Sequence, residues 1–416
     1  MADETTPGLW HNRSYRLLLT GKVAETVGGG IGSFAVPLVA FHVTGNVVQA
    51  GVIAAVGQAG SVLTALPAGV VVDRVDRRRI IMAAALVAGV AWAGLVVVGL
   101  SGGLTAVHLA AVLFVSSTAG ALLDPADTAA LHAVVRKDEM GQAMAVAQGR
   151  DAVAGLVAGP VGGLLYGMGH VVPFLVAAVG RLIACGTAAL VREPLNGDLG
   201  AARAQHPVRA LREGLRYVWG VPVFRVLLTL FTLVNVLLNG AMVAITLDLV
   251  RTGTAPVLIG LVNTAVGVGV VLGALLAGRL VRTVRVGVLN VLALGVVLAA
   301  MAVMAALHTY WGYLGALLVM MMFAPALNAG MVAYQVAITP AQMQGRAASV
   351  LGLTGLLATV VSPLLGGLAL GAVGIAGALW WFTGAFAVVT VAIAAVRPIW
   401  RIGLPDTWAA DVAAVR

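Results

Sequence analysis

The chain has 416 residues and a mass of 42.1 kDa; it is 61% hydrophobic, only 10% charged, and has a mean hydropathy of +1.02. A soluble domain is about 45–50% apolar and about 25% charged, so this chain lacks the polar residues to face water and must be covered by lipid. The net charge of +9 would by itself raise nucleic acid as a partner, but Lys and Arg sit in small clusters at the ends of apolar runs and form no basic arm, so none is expected.

Apolar runs fall at 16–43, 47–72, 80–101, 104–126, 142–167, 171–191, 223–249, 257–281, 286–307, 310–334, 347–371 and 373–396. One bilayer span takes roughly 20 apolar residues, so twelve spans use up nearly the whole length. The expected fold is an all-α integral membrane protein with twelve transmembrane helices. Met1 to Tyr15 carry Asp3, Glu4 and Pro7 and no early apolar core, so the first run is expected to stay as an anchor. Cys185 lies inside an apolar run and reads as a small buried hydrophobe.

Basic residues orient the spans. With the amino terminus inside, only Arg251 of the 25 Lys and Arg residues falls on the outer side, and Lys22, Arg150 and Arg181 lie within spans. All the others face the cytoplasm, as the positive-inside rule requires. Both termini are therefore expected to be cytoplasmic.

The polar interval from Arg192 to Phe224 holds Pro194, Asn196, Gly197, Asp198 and Pro207 and divides the chain into two halves. It reads as a linker, with a short amphipathic helix around Leu211 to Trp219. The expected domains are residues 1–192, a linker at 193–222, and residues 223–416 with a short tail. The halves echo one another. Tyr15-Arg-Leu-Leu-Leu-Thr20 answers Phe224-Arg-Val-Leu-Leu-Thr229, and Gly69 answers Gly278, both 209 positions apart. Thr44-Gly45 answers Thr252-Gly253, and Pro160 answers Pro363 at similar offsets. Two six-helix pseudo-repeats imply a midplane binding site between them and alternating access by rocking.

After the second span the chain reads Gly69-Val-Val-Val-Asp73-Arg74-Val-Asp76-Arg77-Arg78-Arg79. This resembles the major facilitator superfamily, whose loop between helices 2 and 3 carries Gly-x-x-x-Asp-Arg-x-Gly-Arg-Arg. Gly69, Asp73, Arg74, Arg77 and Arg78 match, and Asp76 departs by replacing the second Gly. The resemblance implies that these five form a conformational latch. The second half carries Gly278-Arg-Leu-Val-Arg282, where Arg282 takes the Asp position, so the latch is expected on one side only.

In the fifth span, Gly155-Leu-Val-Ala-Gly159-Pro160-Val-Gly162-Gly163 permits close helix contact and a bend. It is similar to the family's antiporter signature at Gly155, Gly159, Pro160 and Gly163, which implies export against an inward cation, most often a proton. Pro125-Ala-Asp-Thr-Ala-Ala-Leu131, Leu211-Arg-Glu-Gly-Leu-Arg-Tyr-Val-Trp219 and Gly345-Arg346 look like the branch containing enterobactin exporters and macrolide efflux pumps.

Charges inside a bilayer cost at least about 2.5–3.5 kcal/mol each and need a reason. Lys22 and Glu25 lie three apart in the first span, close enough to share a helix face. Glu25, Asp151 and Asp124 are the candidate proton carriers, with Lys22, Arg150 and Arg181 as charge partners. Asp124, near the cytoplasmic end of the fourth span, is expected to be solvated. Arg150 and Asp151 are expected on different faces of the fifth span, and Asp151 on its tight-packing stripe. At the repeat offset, Lys22 and Glu25 map to Phe231 and Val234, so membrane-embedded polarity is expected in the first half alone. The family's common arginine in helix 4 is missing, since no Lys or Arg occurs between Arg79 and Arg136.

The resemblance puts helices 1, 4, 7 and 10 around the cavity and makes Asn235, Asn239, Met321, Phe323 and Asn328 substrate-cavity candidates. Tyr310, Trp311 and Tyr313 read as an interfacial aromatic belt. The sequence has no phosphate loop, nucleophile elbow or metal-ligand cluster, so no enzyme, cofactor or metal is expected. The expected protein is a monomeric, proton-coupled exporter of small amphipathic compounds in a bacterial cytoplasmic membrane. Its partners are a small-molecule substrate, protons and lipid; proton-coupled uptake and a transporter-like sensor are the alternatives.

Overall fold

The computed structural model describes residues 8–196, 216, 219–220, 222–340 and 343–396, and beyond these 399–400, 402–404, 406 and 408. The linker helix expected around Leu211 to Trp219 lies almost wholly outside the described residues. A short 3-10 turn, Leu9–His11, leads into α1 (Arg13–Thr44), α2 (Val47–Arg74), α3 (Arg77–Leu100), α4 (Ala106–Val134), α5 (Met140–Met168) and α6 (Val172–Leu190). There follow α7 (Pro222–Arg251), α8 (Pro256–Thr283), α9 (Val286–Leu307), α10 (Tyr310–Met322), α11 (Ala324–Ile338) and α12 (Gln344–Ala395).

Polar residues between the apolar runs set where helices start. Asn12, Asn46, Asp76, Thr105 and Thr309 each accept a backbone N–H from the first turn that follows, which satisfies donors that a helix start leaves unpaired. Gly45, at φ 61°, ends α1 in the left-handed conformation.

Two differences from the expected spans have physical causes. The tenth span is broken at Phe323 between α10 and α11, with Pro325 in the first turn of α11, where it lacks an N–H to continue the helix above it. The fourth runs on to Val134, because Ala126, Ala130 and Val134 are buried in the core at helical spacing. Asp124, Pro125 and Asp127 had masked that extension in the hydropathy.

Among the described residues, 11 helical stretches are long and apolar enough to cross a membrane, the last covering Gly355–Ala395. That stretch of 41 residues extends ~62 Å at ~1.5 Å per residue, twice a ~30 Å hydrocarbon core. Gly374, at φ 68° and ψ 178°, breaks α12 there. With that stretch divided in two, the described residues supply helices for twelve crossings.

Two compact units emerge. One comprises Met1–Gln205 with Gly253–Gly260; the other comprises His206–Thr252 with Leu261–Arg416. In the first, α1 packs along α6, α2 along α4, and α3 against both α4 and α6. A side chain at Gly28 would strike the Val176 carbonyl, so α1 and α6 approach at backbone distance because small residues meet there. In the second, α12 packs along α7, and α9 packs against α10 and α12.

Candidate functional site

The first unit contains a cavity of about 600 Å³ walled by α1, α4 and α5. A charged cluster at this wall is built on three helices. On α1, Lys22 and Glu25 are neighbours at helical spacing, with Lys22 Nζ 3.0 Å from Glu25 Oε2. From α4, Asp124 Oδ1 lies 2.7 Å and Asp127 Oδ2 lies 3.1 Å from the same ammonium. On α6, Arg181 places Nη1 3.4 Å from Glu25 Oε1, while its Nε and Nη1 atoms are buried with no hydrogen-bond partner. The result is a five-charge node joining α1, α4 and α6.

The node keeps most of its charge from water. The side chains of Lys22 and Glu25 are 15% and 14% exposed, Asp127 is 22% exposed, and Asp124 alone opens widely at 73%. Each ion has an opposite charge nearby, which offsets desolvation. When all five groups are ionised, three carboxylates face two cations, so one excess negative charge remains.

Sequence reasoning missed Asp127. It stood in the Pro125-Ala-Asp segment, taken there as a branch motif, yet it lies three residues beyond Asp124 and so on the same helix face. Asp124 is exposed as expected but is tied to Lys22 by a hydrogen bond of 2.7 Å.

The fifth helix requires corrections. Arg150 and Asp151 do not serve separate faces: both Nε and Nη2 of Arg150 donate to Asp151 Oδ1, at 2.9 and 2.8 Å. The long guanidinium side chain curls back far enough to overcome the angle between adjacent positions. Asp151 does not lie on a tight stripe either, since it is exposed and a side chain built at Gly155 would meet nothing within 4 Å. Both residues line the cavity apart from the Lys22 node. Close packing begins at Gly162, where a Cβ would press on Phe34, and at Gly163, where it would strike the Pro256 backbone. The Gly159 backbone receives Gly260 in the same way; Pro256 and Gly260 belong to this unit.

The arginine cluster after α2 is anchored locally. Arg77 Nη1 donates to the Leu195 carbonyl at 2.9 Å, and Arg78 Nη2 donates to the Ala189 carbonyl. Asp76, the departure from the family pattern, caps α3 through the Arg79 N–H at 3.1 Å and accepts from Asn196 Nδ2 at 3.0 Å. Asn196 Oδ1 accepts the Arg77 N–H in return, at 3.0 Å. Burial pushes the Asp76 carboxyl up, but the backbone N–H groups of Arg79 and Arg78, the Asn196 amide and the Arg79 charge together hold it below its ordinary value. Gly69 and Arg74 are exposed, and the Asp73 side chain lies outside the described residues.

In the second unit, Asn235 and Asn239 donate to the carbonyls of Phe231 and Asn235 on their own helix. Met321 packs at its Cβ where Gly269 of α8 comes close; Phe323 marks the α10–α11 break, and Asn328 is exposed. A buried acidic residue also occurs in the second unit, near the carboxy-terminal end of α7. Asp248 on α7 is buried and pairs with Arg251 at 2.6 Å, a spacing of three that was readable in the sequence. No group of three or more metal-ligating side chains occurs among the described residues.

The sequence model of the Major Facilitator Superfamily matches residues 18–250 and 235–401. A macrolide efflux protein A of Streptococcus pyogenes is 28% identical over 214 residues, 50% of this chain and 52% of that protein. The multidrug efflux pump Tap of Mycolicibacterium fortuitum is 29% identical over 222 residues, 51% of this chain and 53% of that protein. The chain thus aligns with about half the length of these curated relatives. Among solved structures, a bacterial homologue of the iron transporter ferroportin superposes with a TM-score of 0.70 at 15% identity, covering 93% of this chain and 99% of that one. The nucleoside transporter NupG gives 0.68 at 12% identity, over 94% and 99%. At these identities the structures establish the shared twelve-helix fold.

Proposed function

Because the chain belongs to the Major Facilitator Superfamily, we propose that it exports small amphipathic compounds by proton antiport in a bacterial cytoplasmic membrane. It acts as a monomer with both termini in the cytoplasm, and alternates access between two six-helix halves spanning residues 1–192 and 223–416. Export is favoured over uptake by the relatives, two of which are named as efflux proteins, and by the Gly155 to Gly163 motif.

The charge balance of the node carries the proton reading. Glu25, Asp124 and Asp127 against Lys22 and Arg181 leave one unmatched negative charge in a low-dielectric setting, and uptake of a single proton cancels it. Glu25, between two cations, and Asp127, the deeper of the two α4 carboxylates, are the proposed proton carriers. Asp124, open to the cavity, is the proposed entry point. Asp151, paired with Arg150, acts as a wall charge. Gly69, Asp73, Arg74, Arg77 and Arg78 act as the conformational latch, and Asn235, Asn239, Met321, Phe323 and Asn328 remain proposed substrate contacts from the second half.

Everted membrane vesicles with an acid interior test this. Radiolabelled erythromycin should accumulate inside, and an uncoupler should release it; accumulation that ignores the uncoupler, or occurs only in right-side-out vesicles, contradicts proton-driven export.

A further inference from the structure

We propose that Ile399, Ile402, Gly403 and Trp408 form a strap that clamps α11, a half-helix hinged at Phe323, onto the start of α9, so that α11 swings only when the strap lets go. The strap acts on helix position and is independent of what the chain carries.

Its first attachment is a helix start that does not cap itself. Arg285 precedes α9 and makes no side-chain cap, so the first N–H groups of α9 need outside acceptors. Val286 donates to the Gly403 carbonyl at 3.4 Å, and Gly287 donates to the Ile402 carbonyl at 3.1 Å. A side chain at Gly287 would strike the Ile399 carbonyl, so the two backbones touch. Ile399 and Ile402 are 1% and 0% exposed, and their burial seats the strap. The first half uses the same device with a different acceptor. Arg77 opens α3 at 209 positions before Val286, and its N–H donates to Asn196 Oδ1 just past α6. Each half thus ties the segment after its sixth span to the start of its third.

The second attachment reaches α11. Trp408 Nε1 donates to the same Gly403 carbonyl at 3.2 Å, and the Trp408 ring meets Tyr334 of α11 edge-on with centroids 5.4 Å apart. Such a hold is needed because the tenth span is interrupted at Phe323, and Pro325 in the first turn of α11 has no N–H to bond back. Beneath α11, Ala326 packs with Ala277 and Leu289, and Gly330 faces Val286, the residue that the strap caps. The strap therefore grips both partners of the α9–α11 contact. A helix hinged at one end and pinned near the other is a part that swings once unpinned.

Two single-cysteine reporters test the strap in the full-length protein, with the native cysteine removed as Cys185→Ala. Leu289→Cys lies under α11, and Ile80→Cys is its counterpart 209 positions earlier; both positions are buried. Labelling by N-ethylmaleimide reports their opening. Trp408→Ala, which removes the grip on Tyr334, and Gly287→Ala, which pushes Ile399 away, should each speed labelling at Leu289→Cys about tenfold and leave Ile80→Cys unchanged. Trp408→Phe keeps a ring against Tyr334 and should stay within about twofold of the parent. Unchanged labelling at Leu289→Cys in both loosened variants overturns the proposal, and so does an equal rise at Ile80→Cys, which would report general loosening of the fold.

Discussion

Asp127 on α4 lies 3.1 Å from Lys22 on α1, so the fourth helix is ionically tied to the first. Asp127 is mostly buried and Asp151 is mostly exposed, which separates their expected roles. Asp127→Asn should cut the initial rate of vesicle transport at least tenfold, whereas Asp151→Asn should keep more than half of it. Comparable losses in both would show that burial at the node is not what matters.

Lys22 is the common partner of three carboxylates, so its removal should be the most damaging single change to stability in the node. Leaving buried charge uncompensated costs about 3–5 kcal/mol. Lys22→Met should lower the thermal midpoint in detergent more than Glu25→Gln does, and adding Asp124→Asn should recover part of the loss.

Asp76 predicts a pH signature. Its carboxyl is held low by the start of α3 and by Asn196, so its stabilising effect is complete above the ordinary carboxylate value, about 3.9. It fades as pH falls through the lowered folded value. Asp76→Ala should remove a helix cap worth about 1 kcal/mol at neutral pH. The gap between variant and wild type should narrow in acid, as read by thermal unfolding across pH.

Glycine positions separate turn strain from close packing. Gly374 has a backbone conformation, φ 68° and ψ 178°, that other residues adopt at a cost of about 1–3 kcal/mol. Gly374→Ala should therefore lower stability although nothing crowds it. Gly163→Leu should abolish transport because the Pro256 backbone fills its space, while Gly155→Ala should be silent in the same vesicle assay.

The twelve crossings were legible because a bilayer demands apolar runs of one length, and hydropathy reports them directly. The caps Asn46, Asp76 and Thr309 stand in the breaks between those runs, a signal the hydropathy reading did not use. The node was half legible: Lys22 and Glu25 announce themselves by spacing within one helix, but contact with Asp127 and Arg181 depends on how α4 and α6 pack. Asp127 was hidden for a further reason, since the same acidic residues that form the site depress the hydropathy used to draw the span. Arg150 and Asp151 misled because an ideal helical wheel ignores the reach of a guanidinium side chain. Gly155 misled because a small-residue motif does not say which of its positions meets a neighbour.

The claim that buried carboxylates on α1 and α4 couple proton flow to export is tested most directly by one comparison. Glu25→Gln/Asp127→Asn and wild type would be assayed in everted vesicles for uncoupler-sensitive drug accumulation under an acid-inside gradient. Wild type should concentrate the drug, and the double variant, folded and present at equal amount, should only equilibrate it. Undiminished uphill accumulation by the double variant would contradict the role assigned to these carboxylates.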